Sequence, residues 1–315
     1  MDRNLTLEAV RLTEASALYA SRFMGKGDED NSYISAAEAM AKVLSSIDID
    51  GRIVIGDDCN QSPLADGSSA GNGIGPDLDL AVKPLDGKKT CAIGGYNAIS
   101  VMALGHRNSF FNTPTLYMEK IAVGKDAKGL VDITQPVDVN IKRVARAKGK
   151  YIEDITVCVL DRERNSGHVQ QIRKTGAKIK FIRDGDISGA ISTAIEDSAI
   201  DILMGIGGAK EGVLGAAALK CLDGDMQARY CFQNNEERAM IRDLGVDPDM
   251  IYTVSDMVRG DDIMVSATGV TDGLILPGVR YFSGGARTNS MVIRHKTHTF
   301  RMIQAVHHFD YKPIF

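Results

Sequence analysis

A layered α/β fold with helices packed on sheets is the architecture this sequence predicts, and three observations predict it. Over residues 155–222 the runs ITVCVL, NSGHVQQIRKT, KIKFI, ISGAISTAIED, IDILMGI and KEGVLGAAALKCL follow one another. Strands alternating with helices of about ten residues are the pattern of parallel βαβ units. The first half instead mixes two helices with strands at RIVIG, LDLAV, AISVMAL and TLYMEKIAV. Finally, a chain of 315 residues that is 44% apolar can bury a sizeable core, as one continuous domain or two closely joined lobes. The change of character near residue 150 predicts lobes over 1–150 and 151–315.

The elements are justified in order. MDRNLTLEAVRLTEASALYASRF begins with charges and carries apolar residues at helical spacing, which reads as a core helix and not a secretory signal. SAAEAMAKVLSSI supplies a second helix and RIVIG a strand. Residues 65–77, ADGSSAGNGIGPD, are rich in glycine and serine and read as a mobile surface loop leading into LDLAV. That strand is expected to end in a turn at Pro84 and Gly87. The glycines of GIGGAKEG (205–212) follow the fourth or a later strand as GxGG, without the GxGxxG spacing or a clear acidic strand end downstream. A nicotinamide-binding reading is rejected on those grounds.

Composition excludes several function classes. The net charge is −4 and the basic residues are scattered, so nucleic acid is not indicated as a partner. No apolar run reaches the length of a membrane span. Five cysteines (Cys59, Cys91, Cys158, Cys221, Cys231) show no CxxC spacing, which argues against a disulfide framework or a zinc site. They read as reduced thiols of a cytosol or plastid stroma.

The stretch that carries chemistry is LDLAVKPLDGKKT, residues 78–90. A strand ending in such a turn sets the side chains at its mouth beside one another. This frame resembles the signature of a large metal-dependent phosphatase superfamily, in which two carboxylates three residues apart share divalent cations through oxygen ligands. The resemblance puts Lys83 at the first of those positions, and an ammonium repels a cation.

Further landmarks are MGKGD (24–28), GRIVIGDD (51–58), LYMEKIAVG (116–124), LDRER (160–164), RDGDISGAI (183–191), MGIGGAKEGVLGAAALKCLDGDMQ (204–227) and GGARTNSMVIR (284–294). In order and spacing they resemble class II, GlpX-like fructose-1,6-bisphosphatases, some of which also act on sedoheptulose 1,7-bisphosphate, over nearly the whole chain. The resemblance implies the layered sugar-phosphatase fold of inositol monophosphatases and fructose bisphosphatases, with helices packed on mixed sheets. It also implies Mg²⁺ or Mn²⁺ as cofactor, a sugar phosphate as ligand, and a homo-oligomer or a place in a larger assembly. The strands near 97–124 are a candidate contact for it.

The family pattern also sets the metal positions, and this chain departs from it at most of them. The family aspartate eight residues after the first glycine of GxGD falls on Tyr33, whose phenol stays neutral to about pH 10. The family glutamates after Ile-Gly fall on Asp57, shorter by one methylene, and on Cys59, a soft ligand ill suited to a hard cation. The signature Asp-Pro-(Ile/Leu)-(Asp/Glu)-Gly-(Thr/Ser) becomes Lys83, Pro84, Leu85, Asp86, Gly87 and Lys88. Glu211 alone matches in type and place. Asp57, Asp86 and Glu211 are thus the remnant metal positions, with Asp57 and Asp86 also the remnant catalytic ones; Asp28 or Asp30 could substitute at Tyr33.

The substrate side keeps more of the pattern. The resemblance assigns sugar-phosphate binding to Asp86, Gly87, Lys88, Tyr117, Arg162, Glu163, Arg164, Asp184, Gly185, Asp186 and Gly208, although Asn165 stands where relatives often carry histidine. Guanidinium groups clamp phosphate oxygens and aspartates accept from sugar hydroxyls; a surface ion pair is the plain alternative for the arginines. Two functions follow. One is an inactive or strongly impaired paralogue with a structural, assembly or sensing role; the other is an active bisphosphatase with atypical cation ligation.

Overall fold

The computed structural model describes residues 4–58 and 61–311. Contacts divide the chain into two compact units, residues 1–110 with 260–315 and residues 111–259.

The first unit opens with α1 (Leu5–Ser21) and α2 (Glu29–Leu44), followed by β1 (Asp50–Ile55), β2 (Ser69–Ala70), β3 (Asp77–Asp86), the short α3 (Lys88–Ala92) and β4 (Ile99–His106). The second holds β5 (Tyr117–Val123), α4 (Val137–Lys148), β6 (Thr156–Leu160), α5 (Ser166–Thr175), β7 (Lys178–Ile182), α6 (Asp186–Ser192), β8 (Ile202–Gly208), α7 (Ala209–Cys221), β9 (Asp225–Tyr230), α8 (Asn235–Asp243), β10 (Tyr252–Thr253) and α9 (Val254–Met257). The chain then returns to the first unit with β11 (Met264–Gly269), β12 (Arg280–Phe282), β13 (Gly285–Arg294) and β14 (Thr299–His308). This is a mixed α/β architecture with helices on two mixed sheets.

In the first unit an eight-stranded sheet runs β12-β13-β11-β4-β3-β1-β2, with β14 pairing β13 along its free side. Leu80, Val82, Met102, Leu104, Met264 and Val292 pack with Leu5, Ala9, Leu12, Met40 and Val43 of α1 and α2. Burial of these apolar faces from water is the main force holding the layers together. The contact also carries hydrogen bonds: the Ser16 hydroxyl of α1 lies 2.9 Å from the carbonyl oxygens of both Ala36 on α2 and Pro84 on β3. That hydroxyl ties both helices to the signature stretch.

In the second unit the order is β10-β9-β5-β8-β6-β7. The expected parallel units are present at β6–β7 and β6–β8, but β5 runs antiparallel to both β8 and β9. Those pairings place residues 111–150 with the second unit, and the antiparallel pairing of β11 with β4 returns the C-terminal strands to the first. The units therefore divide at 110/111 and 259/260, where the sequence reading placed one change near 150.

Other expectations shift as well. Pro84 lies inside β3, not in the turn after it. A register shift between Lys83 and Asp86 accommodates a residue that has no N–H for the ladder, and the turn proper falls at Gly87 (φ 92°). The 65–77 stretch is not wholly loop, because Ser69–Ala70 pairs with β1. Its Gly71 is in the left-handed region, and a Cβ there would come within 2.3 Å of the Ile49 carbonyl oxygen. The strands in the 97–124 segment, β4 and β5, are each flanked on both sides and largely buried. Among the described residues no helix is long and apolar enough to cross a membrane.

The thiols of Cys91 and Cys158 are buried and free. Burial pushes Cys91 up to about 11 and, aided by the Asp186 charge, Cys158 up to about 12. Only a thiolate attacks an alkylating reagent. Both should therefore remain unmodified by iodoacetamide at pH 8 in the native protein and be labelled in urea, which peptide mass spectrometry reads directly. Rapid native labelling would show that these cores open.

Candidate functional site

The candidate residues fall in both units, and each group is described within its own. In the first unit, Asp28 is the N-cap of α2. Its carboxylate accepts from the Asn31 backbone N–H at 3.1 Å and from Asn31 Nδ2 at 2.7 Å, which holds the acid below its usual range. One turn further along α2, the Tyr33 hydroxyl donates to Asp57 Oδ1, while the Ser62 hydroxyl donates to Asp57 Oδ2. Both oxygens of Asp57 are thus occupied by neutral donors.

The loop carrying Asp57 is wound by its own backbone. Asp57 N–H donates to the Leu64 carbonyl at 2.9 Å, the Asp57 carbonyl accepts from Asp66 N–H at 3.0 Å, and Asp66 Oδ1 accepts from Gly56 N–H at 2.6 Å. A Cβ at Gly56 would lie 2.1 Å from the Leu64 oxygen, so glycine is required there. Cys59 lies outside the described residues.

At the end of β3, Lys83 is half-buried and Asp86 buried. Beyond the Gly87 turn, Lys88 Nζ stands 3.5 Å from Asp30 Oδ1, both largely exposed, a pairing that contributes little to stability. Of the two acids near Tyr33, Asp28 thus caps a helix and Asp30 faces Lys88. Among the described residues no three His, Cys, Asp or Glu side chains gather in a group that could hold a metal ion.

In the second unit the loops at the ends of β6, β7 and β8 bring several predicted residues together. Arg162 donates to Asp184 Oδ1 at 2.6 Å. The Arg164 guanidinium lies over the Tyr117 ring, 4.4 Å from its centre, and its Nε donates to the Ile206 carbonyl at 3.1 Å. Gly185 adopts φ 84° and starts α6, whose first residue is Asp186. Gly208 ends β8 just before α7, and Glu211 in the first turn of α7 folds back so far that a Cβ on Gly208 would meet its Oε2. Glu163 lies in a single 3₁₀ turn between the two arginines and is exposed.

A scan against protein families matches residues 3–307 to the family described as bacterial fructose-1,6-bisphosphatase, glpX-encoded. A Haemophilus influenzae protein named fructose-1,6-bisphosphatase class 2 is 39% identical over 325 residues, covering 98% of each chain. The Escherichia coli K12 protein named fructose-1,6-bisphosphatase 1 class 2 is 36% identical over 327 residues, covering 99% of this chain and 97% of that one. The chain belongs to the class 2 fructose-1,6-bisphosphatase family.

Within this class 2 fructose-1,6-bisphosphatase frame, the structure gives Asn165 a role and adds residues that sequence reasoning missed. Asn165 is fully buried; its Nδ2 donates to the Leu160 and Ile206 carbonyls at 3.0 and 3.3 Å, and its Oδ1 accepts from Ile206 N–H at 2.7 Å. It therefore staples the end of β6 to β8, and Gly205 leaves room for it: a Cβ there would come within 2.8 Å of Asn165 Oδ1. Glu119 accepts from His168 Nε2 at 2.8 Å and Arg229 Nε at 2.7 Å. Burial pushes its carboxyl up, but those two bonds and the neighbouring charges outweigh it and hold the group below its usual range. On the opposite face of the same strand lies Lys120, which is buried. The one legible signal for this group was the pair of adjacent charges in the apolar run YMEKIAV.

Proposed function

We propose that this member of the class 2 fructose-1,6-bisphosphatase family binds sugar bisphosphates but has lost the two-cation mechanism, leaving an inactive or strongly impaired paralogue with a structural, assembly or sensing role. The observation that carries this reading is the state of Asp57. Each oxygen of that carboxylate already accepts a hydrogen bond, from Tyr33 or from Ser62, so these donors compete with a hard cation for it, and Mg²⁺ tolerates little departure from octahedral oxygen ligation. With an ammonium at Lys83 beside it in the pattern, this donor set does not fit Mg²⁺ or Mn²⁺.

Binding is supported by the second unit. Arg162 and Arg164 offer guanidinium forks to phosphate, and Asp184 and Asp186 offer acceptors to sugar hydroxyls. Lys88 adds positive charge in the signature, where relatives carry a hydroxyl, and a cation there attracts an anion without any metal. A homo-oligomer or a docked subunit in a thiol-reducing cytosol or stroma belongs to the same reading, and light scattering tests the first part.

The second reading, an active bisphosphatase with atypical ligation, is favoured by one observation: Asp57, Asp86 and Glu211 still place carboxylates at three of the family positions. The deciding experiment is phosphate release from fructose 1,6-bisphosphate and sedoheptulose 1,7-bisphosphate with Mg²⁺ or Mn²⁺. Silence is expected; release abolished by a chelator would establish the second reading.

Ligand binding has its own test. Fructose 1,6-bisphosphate at 100-fold its dissociation constant should raise the melting temperature by several degrees, since ligand linkage at that excess contributes about 2.7 kcal/mol. No shift at millimolar ligand would refute retained binding.

A further inference from the structure

Lys120 lies mid-strand in β5 with a side chain only 3% exposed. Its ammonium donates to Asp186 Oδ2 and, at 2.8 Å, to the carbonyl of Gly208. Removing an ammonium from water is costly unless its donors are satisfied, and here a carboxylate and a backbone oxygen satisfy two of the three. The two partners begin α6 and end β8, so one side chain joins segments 22 residues apart in sequence.

The surrounding sequence is shaped around this pair. A Cβ at Gly207 would fall 2.2 Å from Asp186 Oδ2 and 2.9 Å from Lys120 Nζ, and one at Gly212 would fall 3.3 Å from Lys120 Cδ. Two of the glycines in GIGGAKEG therefore make room for a buried ion pair. This accounts for glycines that a dinucleotide fingerprint does not explain.

We infer that Lys120 is a positioning residue: it locks the Asp184–Asp186 turn to the Gly208 strand end, so that the sugar-phosphate-binding groups on the two segments are preorganised. The inference rests on the reading of these segments as ligand-binding. Without the ammonium, Asp186 becomes an uncompensated buried carboxylate and pulls away from Gly208, loosening both segments at once. Preorganisation of this kind sets affinity because a ligand does not then have to order the loops that hold it.

The test uses the full chain and three variants. Lys120→Met removes the ammonium and keeps the bulk. Gly207→Ala leaves Lys120 intact but displaces the Asp186 carboxylate. Val123→Ala, in the core at the other end of β5, is a control that lowers stability without touching the lock. Calorimetry with fructose 1,6-bisphosphate at 15 °C should show at least tenfold weaker binding for the first two variants and wild-type affinity for the control, a separation that loss of stability alone does not produce.

Amide hydrogen exchange without ligand should accelerate at least tenfold in residues 183–189 and 205–212 of Lys120→Met, and stay unchanged in 285–308. Wild-type exchange in both segments, or affinity within twofold of wild type, overturns the inference. If the unaltered chain binds no sugar bisphosphate, the functional reading fails, while the exchange measurement still decides whether Lys120 is the lock. If Lys120→Met does not fold, exchange in Gly207→Ala decides in its place.

Discussion

A chain carrying Tyr33→Asp, Asp57→Glu, Lys83→Asp and Asp86→Glu together should hydrolyse fructose 1,6-bisphosphate with Mg²⁺ or Mn²⁺ on the order of 10³-fold or more faster than the unaltered chain. The argument is electrostatic. Tyr33→Asp removes the hydroxyl that donates to Asp57 Oδ1 and replaces it with an acceptor. Lys83→Asp turns a repelling charge into a ligand, and the two lengthened carboxylates regain the reach the family pattern has. Four acids brought together repel one another when no cation is present, so the variant should melt lower than the unaltered chain in chelator and recover on adding Mg²⁺. That thermal signature separates metal binding from turnover. Single substitutions should do little, because groups that act as one unit are strongly non-additive. Metal-dependent recovery of melting without any phosphate release would place the defect outside the cation ligands, in a frame that has itself diverged.

Local pattern made much of this legible. The apolar runs of α1, β1, β4, β5, β8 and α7 stand where periodicity predicted them, because those elements bury faces that their own sequence spells out. What could not be read was set by partners distant in sequence. The antiparallel placement of β5 depends on strands about 80 and 110 residues later, and nothing in TLYMEKIAV distinguishes that from a parallel strand. Lys120 reads as a solvated charge until Asp186 is brought to it. Asn165 looked like a lapse from a family histidine, but its amide, which both donates and accepts, bridges two strand ends. In the sequence Tyr33 is only a departure from the family pattern; that its hydroxyl donates to Asp57 is visible only once the fold brings residue 33 to residue 57.

Replacing both Arg162 and Arg164 by alanine should weaken fructose 1,6-bisphosphate binding at least ~100-fold, since each charge-assisted hydrogen bond contributes about 1.5–3 kcal/mol. The two arginines should differ in kind. Arg162 is paired with Asp184, so Arg162→Ala removes a guanidinium and also takes that partner from a carboxylate, which then repels an anion more strongly. Arg164 is held by its stacking on Tyr117 and its bond to the Ile206 carbonyl, which aim the guanidinium before any ligand arrives. Arg164→Lys keeps the charge but loses the planar fork, and a roughly tenfold loss is expected from that alone. Tyr117→Phe keeps the ring and should preserve the aim of Arg164. Calorimetric titrations at low and high salt separate the contributions, because general attraction is screened by salt and a bidentate contact much less so. Affinity of the double alanine variant within threefold of wild type would reduce both arginines to surface ion-pair partners and move the phosphate-binding groups elsewhere.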